Sequence, residues 1–167
     1  MDRLHEIAET AIAPALALLP EAMDTPEARV MLLAIGLQES RFKHARQIVR
    51  GQPIGPAKGY WQFERGGGCK GVVDHSASRY WMSRVCAARG VAFNATAAWN
   101  AIETDHVLAA AAARLLIFTD PRRLPGLEDP ASAWNLYIRT WRPGQPHRQT
   151  WDAFHACACA AVAETLA

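Results

Sequence analysis

Leu33-Ala34-Ile35-Gly36-Leu37-Gln38-Glu39-Ser40-Arg41-Phe42 is the stretch on which the reading of this chain turns. An apolar helical run ends there in an amide, a carboxyl and a hydroxyl. Upstream, Asp24-Thr25-Pro26-Glu27 is a strong helix start: a capping side chain, a proline in the first turn, and an acid near the positive end. The helix then runs through Val30, Met31, Leu33, Ala34 and Leu37 and should stop near Ser40. Glu39 leaves it at the negative end of the helix dipole. Burial and that dipole both favour a protonated carboxyl, whereas Arg41, Lys43 and His44 would oppose them if they came close.

Working outward, 167 residues suffice for one domain with a sizeable core. Half the residues are hydrophobic and a fifth charged, which is the composition of a globular chain and not of a disordered one. Alanine is abundant and β-branched residues are few, so helices are favoured. A formal net charge of +2 is too small to argue for nucleic acid, though a mildly basic surface could suit a polyanionic substrate. The N-terminal acids Asp2, Glu6 and Glu9 spoil the charge pattern of an export signal, and no run is long enough to span a membrane stably. Synthesis in the cytoplasm is the expectation.

Cys69, Cys86, Cys157 and Cys159 form no Cys-x-x-Cys pair and no zinc-spaced cluster with histidine, so no metal or other cofactor is expected. Cys69 could bridge Cys86, or both could be buried thiols. Apolar spacing predicts helices over 3–19, with Pro14 as a kink or break, and over 75–89, 96–118, 130–139 and 149–166. Asn94 or Thr96 could cap the second of these later helices, Asp129-Pro130 opens the third, and Thr150 could start the last. Residues 50–71, with nine glycines and prolines, read as a loop that could hold a small β element. The fold class is therefore mainly α: one helical domain over residues 1–167 with a glycine- and proline-rich loop.

Within that loop lies Gly59-Tyr60-Trp61-Gln62-Phe63-Glu64. A carboxyl leaving a buried helix beside an aromatic, glycine-flanked loop is what a glycosidic acid catalyst needs, because a raised pKa keeps the proton on until a leaving oxygen takes it. The triple glycine Gly66-Gly67-Gly68 lacks the Gly-Lys-Ser/Thr of a nucleotide loop.

Leu37-Gln38-Glu39-Ser40-Arg41-Phe42 resembles the Glu-Ser-x-Phe signature of the soluble lytic transglycosylases, within the lysozyme-like superfamily. The family's following Gly-Leu-Met-Gln is answered by Gly59-Tyr60-Trp61-Gln62, where the first and last residues match. Its Ala-Tyr-Asn-Ala-Gly is answered by Ala133-Trp134-Asn135-Leu136-Tyr137, which keeps the alanine, an aromatic and the asparagine but loses Ala-Gly. The elements stand in the family's order and span residues 30 to 140. The resemblance implies a lysozyme-like fold and cleavage of the β-1,4 bond between N-acetylmuramic acid and N-acetylglucosamine in bacterial peptidoglycan. It makes Glu39 the general acid, Ser40 a positioning group, and Gln62 and Asn135 hydrogen-bonding partners of the sugar. With no export signal read, it also suggests a monomeric phage endolysin or a virion-associated lysin, reaching the wall through a membrane lesion or as cargo.

The residues support those roles separately. Tyr60, Trp61, Gln62, Trp134, Asn135 and Tyr137 combine aromatic platforms with polar donors, as sugar binding requires. Trp61 and Trp134 could equally be core, and Tyr137, three residues after Trp134, shares its helix face. Glu64 is the candidate second carboxylate of a hydrolase, or else a solvated loop charge. Without it, the substrate's own hydroxyl would close to an anhydro sugar. A non-catalytic cell-wall-binding or virion structural module, and a chitinase-like hydrolase, remain the other classes.

Overall fold

The computed structural model describes residues 2–167 and is mainly helical. Its helices are α1 (Arg3–Ile7), α2 (Ala13–Ala17), α3 (Pro26–Ser40), α4 (Lys70–Asp74), α5 (Arg79–Arg89), α6 (Ala95–Ile102), α7 (His106–Phe118), α8 (Pro130–Trp141) and α9 (Arg148–Leu166). The buried side chains form one contiguous cluster. No helix among the described residues is long and apolar enough to cross a membrane.

Two helices lie at the centre. α3 is buried from Val30 to Gly36 and packs mainly on α9; α7 is buried from Leu108 to Ile117. Helices apolar on every face have no solvent side to offer, so the others wrap them. Arg114, inside α7, is satisfied in part by donating from Nε to the Met23 carbonyl at 2.9 Å. Burial lowers its pKa to about 10, and Asp24 opposes that shift.

Side-chain caps set four of the helix starts. Thr25 Oγ1 accepts from the Ala28 N–H at 3.1 Å, Asn94 Oδ1 from Ala97 at 2.8 Å, and Asp129 Oδ1 from Ser132 at 3.0 Å. Asn94, not Thr96, is thus the cap of α6. The expected helix over 96–118 is two helices, because Asp105 Oδ1 accepts from the Leu108 N–H at 3.0 Å and starts a new one. The segment expected as one helix over 75–89 is preceded by α4, and Ser78, buried between α4 and α5, donates to the Val72 carbonyl at 2.7 Å. Pro14 does not break the first helix. A π-helical turn over Ala8–Ile12 sits just before it and joins α1 to α2. Such a turn accommodates a residue that cannot donate.

The expected loop over 50–71 is irregular only as far as Glu64. Three isolated antiparallel bridges, Arg46 to Lys58, Val49 to Gln52 and Lys58 to Phe63, are its whole β content. From Arg65 to Cys69 the chain makes a turn, kinked at Gly67 by non-helical backbone (φ −101°, ψ −105°), that runs into α4. Cys69 and Cys86 are buried, Cys157 is exposed and Cys159 partly so, and none of the four is bridged.

What joins the loop to the core is the end of α3. Arg41 and Phe42 both take left-handed backbone, with φ of 54° and 53°, and turn the chain back on itself. Phe42 then lies against Gly36, where a Cβ would stand 2.0 Å from Phe42 Cζ. Tyr60 and Trp61 meet the Phe42 ring edge-on, at centroid distances of 5.7 and 5.5 Å. Ser40 Oγ donates to the Tyr60 carbonyl at 2.7 Å and accepts from the Phe42 N–H at 3.1 Å. Arg3 donates to the Phe42 carbonyl and to the Tyr60 hydroxyl.

Gly36→Ala is expected to destabilise the fold by about 1–3 kcal/mol through overpacking, although alanine improves helix propensity by about 1 kcal/mol. Gly71→Ala, in α4 with nothing within 4 Å of the added Cβ, is expected to be neutral or stabilising. Urea denaturation of the two variants checks this pair.

Candidate functional site

α3 delivers Glu39 to a groove about 350 Å³ in volume, walled by Gln38, Gln62, Glu64, Tyr137 and Trp141 and by the segment from Arg142 to Gln145. A second cavity of about 950 Å³ continues from it along α4 and the end of α8, and Glu64, Leu116, Trp141 and Arg142 are among the residues the two share. A clamp between helices holds the rim. Gln38 Nε2 donates to the His147 carbonyl at 2.9 Å, and Thr150 Oγ1 donates to Gln38 Oε1 at 3.0 Å.

Glu39 has one side-chain partner, the Tyr137 hydroxyl, which donates to Oε1 at 2.6 Å. Desolvation by burial pushes its pKa up to about 7; the Tyr137 hydrogen bond opposes this, and the charge of Glu64 adds to it. Arg41, Lys43 and His44 are not among the groups acting on it. Arg41 instead lies over the Phe154 ring at 5.5 Å, and all three are exposed. Glu39 therefore titrates close to neutrality and lines the groove.

The tyrosine is itself fixed. Its ring stacks on Trp151 at 5.3 Å with an interplanar angle of 10°, and Trp134 meets it at 5.4 Å. Trp151, wholly buried, donates from Nε1 to the Pro130 carbonyl at 2.8 Å. A buried hydroxyl beside a carboxyl is hard to ionise, so the Tyr137 pKa is raised, by burial first and then by Glu39. It remains a donor throughout the ordinary pH range.

Glu39, Gln62, Glu64 and Tyr137 are the sequence-predicted site residues that line the groove. Gln62 does so from left-handed backbone, φ 53°, and its own amide donates to the Gly59 carbonyl at 3.0 Å. Glu64 is exposed on the far wall at the start of the glycine turn.

The other predicted residues have different places. Trp61 has no accessible surface and donates from Nε1 to the Leu32 carbonyl at 2.8 Å, so it is core and not a sugar platform. Tyr60 is buried and stacks on His106 at 4.4 Å. Ser40 clips the loop at Tyr60 and does not border the groove. Trp134 packs behind Tyr137, with the Arg148 guanidinium 5.6 Å from its ring centre. Asn135 is exposed and lies outside the groove. Two residues apart on a helix, Asn135 and Tyr137 point to opposite sides, so one groove cannot take both.

Sequence reasoning missed Gln38, Thr140 and Trp141. Trp141 is four residues after Tyr137, on the same helix face, and that spacing was the available signal. Among the described residues no group of three or more histidines, cysteines or acids is placed to hold a metal ion. Compared with known proteins, the chain matches no family model, no curated protein and no solved structure.

A buried acid has a thermodynamic signature. The unfolded chain releases the Glu39 proton near the ordinary carboxyl value of 4.5, the folded one only near 7, so rising pH penalises the folded state between those values. The gap corresponds to at most about 3 kcal/mol, fully present above pH 7 and absent below pH 4.5. Glu39→Gln is therefore expected to stabilise the protein at pH 8 and to leave it unchanged at pH 4. Denaturation midpoints at the two pH values measure the difference.

Proposed function

We propose that this chain is a peptidoglycan-cleaving glycosidase of the lytic transglycosylase or muramidase kind, with Glu39 as its general acid. The observation that carries the reading is a carboxyl that keeps its proton near pH 7 while opening onto a groove, aimed by a tyrosine it cannot displace. A salt-bridged Glu39 would favour a non-catalytic module. Glu39 makes no ion pair among the described residues, and the only charge acting on it is the like charge of Glu64.

In this mechanism the Glu39 proton passes to the bridging glycosidic oxygen as the C1–O bond breaks and an oxocarbenium-like centre forms. The resulting Glu39 carboxylate keeps the Tyr137 hydrogen bond, which favours the charged form and so stabilises the step after proton transfer. Two routes then lead on. Glu64, on the opposite wall, takes a proton from a water that adds to C1; or the sugar's own hydroxyl adds to C1 and returns its proton to Glu39. The first gives a reducing end, the second an anhydro end lighter by one water. Tyr137 is a positioning residue in both.

Purified cell walls should lose turbidity with the wild-type protein and not with Glu39→Gln; equal clearing by the two would remove Glu39 from the chemistry. Mass spectrometry of the products separates the routes.

The alkaline limb of the activity profile should follow the Glu39 pKa, with activity falling as pH rises through about 7. On the anhydro route Glu64→Gln removes a like charge and should move that limb to lower pH, whereas on the hydrolytic route it should abolish the activity. Tyr137→Phe removes the bond that favours the carboxylate and should move it to higher pH, with reduced kcat. On the anhydro route, profiles of kcat/KM for the two variants would show opposite displacements.

A further inference from the structure

The two cavities of the groove share one large aromatic side chain, Trp141, and five of the six tryptophans are committed elsewhere. Trp61 and Trp151 have no accessible surface. Trp134 stands outside the groove under Arg148, the Lys58 ammonium lies 3.7 Å from the centre of the Trp99 ring, and Trp81 packs against Tyr80 on α5. Trp141 is partly exposed where the cavities meet.

Its ring cannot turn freely. The indole N–H donates to the Trp61 carbonyl at 2.8 Å, so the polar edge is anchored in the core. Phe63 meets the ring edge-on at 6.0 Å, and Tyr137 lies 6.4 Å away on the preceding turn of α8. An aromatic face fixed in advance, half apolar wall and half open, costs little entropy when a ligand covers it. Thr140, Gln62, Gln38 and Arg142 surround it with polar groups. A flat apolar patch inside a polar rim matches a pyranose ring, whose C–H face is apolar and whose edge carries hydroxyl and amide groups.

We propose that Trp141 is the stacking platform of the groove, taking one ring of a β-1,4-linked N-acetylhexosamine chain as that chain passes from the Glu39 cavity into the larger one. This rests on the saccharide reading of the groove and adds the residue that would hold the sugar in register with Glu39. Tyr137 and Trp141 stand one helical turn apart on one face of α8, so the group that aims the acid and the group that seats the sugar are placed by the same helix.

The test uses the full chain carrying Glu39→Gln, so that ligand binds without being cut. Its tryptophans are labelled with fluorine, and the ligand is a soluble tetrasaccharide of alternating N-acetylglucosamine and N-acetylmuramic acid. Saccharide should move the resonance that disappears in Trp141→Phe and leave the Trp151 resonance in place. By calorimetry, adding Trp141→Leu should weaken binding about tenfold or more, the scale of a lost aromatic contact, whereas Trp141→Phe should retain most of the affinity. Binding with an unmoved Trp141 resonance, or equal affinity in the leucine variant, overturns the platform and leaves the saccharide groove standing. No binding of the tetrasaccharide at all overturns both. Should the leucine variant fail to fold, the fluorine spectrum of the Glu39→Gln protein decides by itself.

Discussion

The contact of Phe42 with Gly36 is the constraint on which the rest of the molecule depends. A helix as apolar as α3 would ordinarily run on or end in a glycine cap, yet here two consecutive non-glycine residues take left-handed backbone to bring the chain back. Each such residue is strained, by roughly a kcal/mol or more. Burial of the Phe42 ring against a helix backbone bared by Gly36 offsets that strain, together with the two edge-on contacts to Tyr60 and Trp61. Once Phe42 is seated, Ser40 is aligned to hold Tyr60, and the whole 58–63 loop is drawn onto the core. Glu39 is left at the lip of a groove whose opposite wall is that loop's continuation.

The groove also shows why an acid at a helix end differs from an ordinary surface glutamate. Its carboxyl is desolvated, faces another carboxylate, and receives one hydrogen bond from a side chain locked in an aromatic stack. Those influences conflict: two hold the proton on, and one prepares for its departure. The balance leaves the titration close to neutral pH, which suits a group that must give a proton and later take one. It also makes the site a local weakness in the fold, since an empty groove keeps an uncompensated carboxyl out of water. The Trp134, Tyr137 and Trp151 stack therefore serves position before recognition, although Trp134 and Tyr137 read in sequence as candidate sugar platforms.

Much of the framework could be read from local chemistry. Thr25-Pro26, Asn94 and Asp129-Pro130 start helices where capping rules put them, because a cap is decided within four residues. Asp105 is hidden as a cap because the apolar, alanine-rich run around it reads as continuous. Pro14 reads as a kink or break, yet a π-helical turn just before it lets the helix pass the proline. The triple glycine reads as loop, and the structure keeps a kink at Gly67 within a helical turn packed on Phe63, which lies where a Cβ on Gly68 would have to go.

By itself the sequence determined that the chain is helical, where most helices begin, and that Glu39 closes a buried helix beside a glycine-flanked aromatic loop. These follow from periodicity, capping and burial, all short-range along the chain. Which aromatics face a ligand was decided only by the tertiary structure. Trp61 and Trp141 are alike in type, yet one is sealed beneath α3 and the other stands open at the groove, joined by a hydrogen bond between residues 80 apart. The same holds for the pKa of Glu39, which is raised by how completely the folded chain excludes water from the carboxyl and held back by the hydrogen bond from Tyr137, 98 residues away. Desolvation belongs to the assembled surface, and no window of sequence contains it.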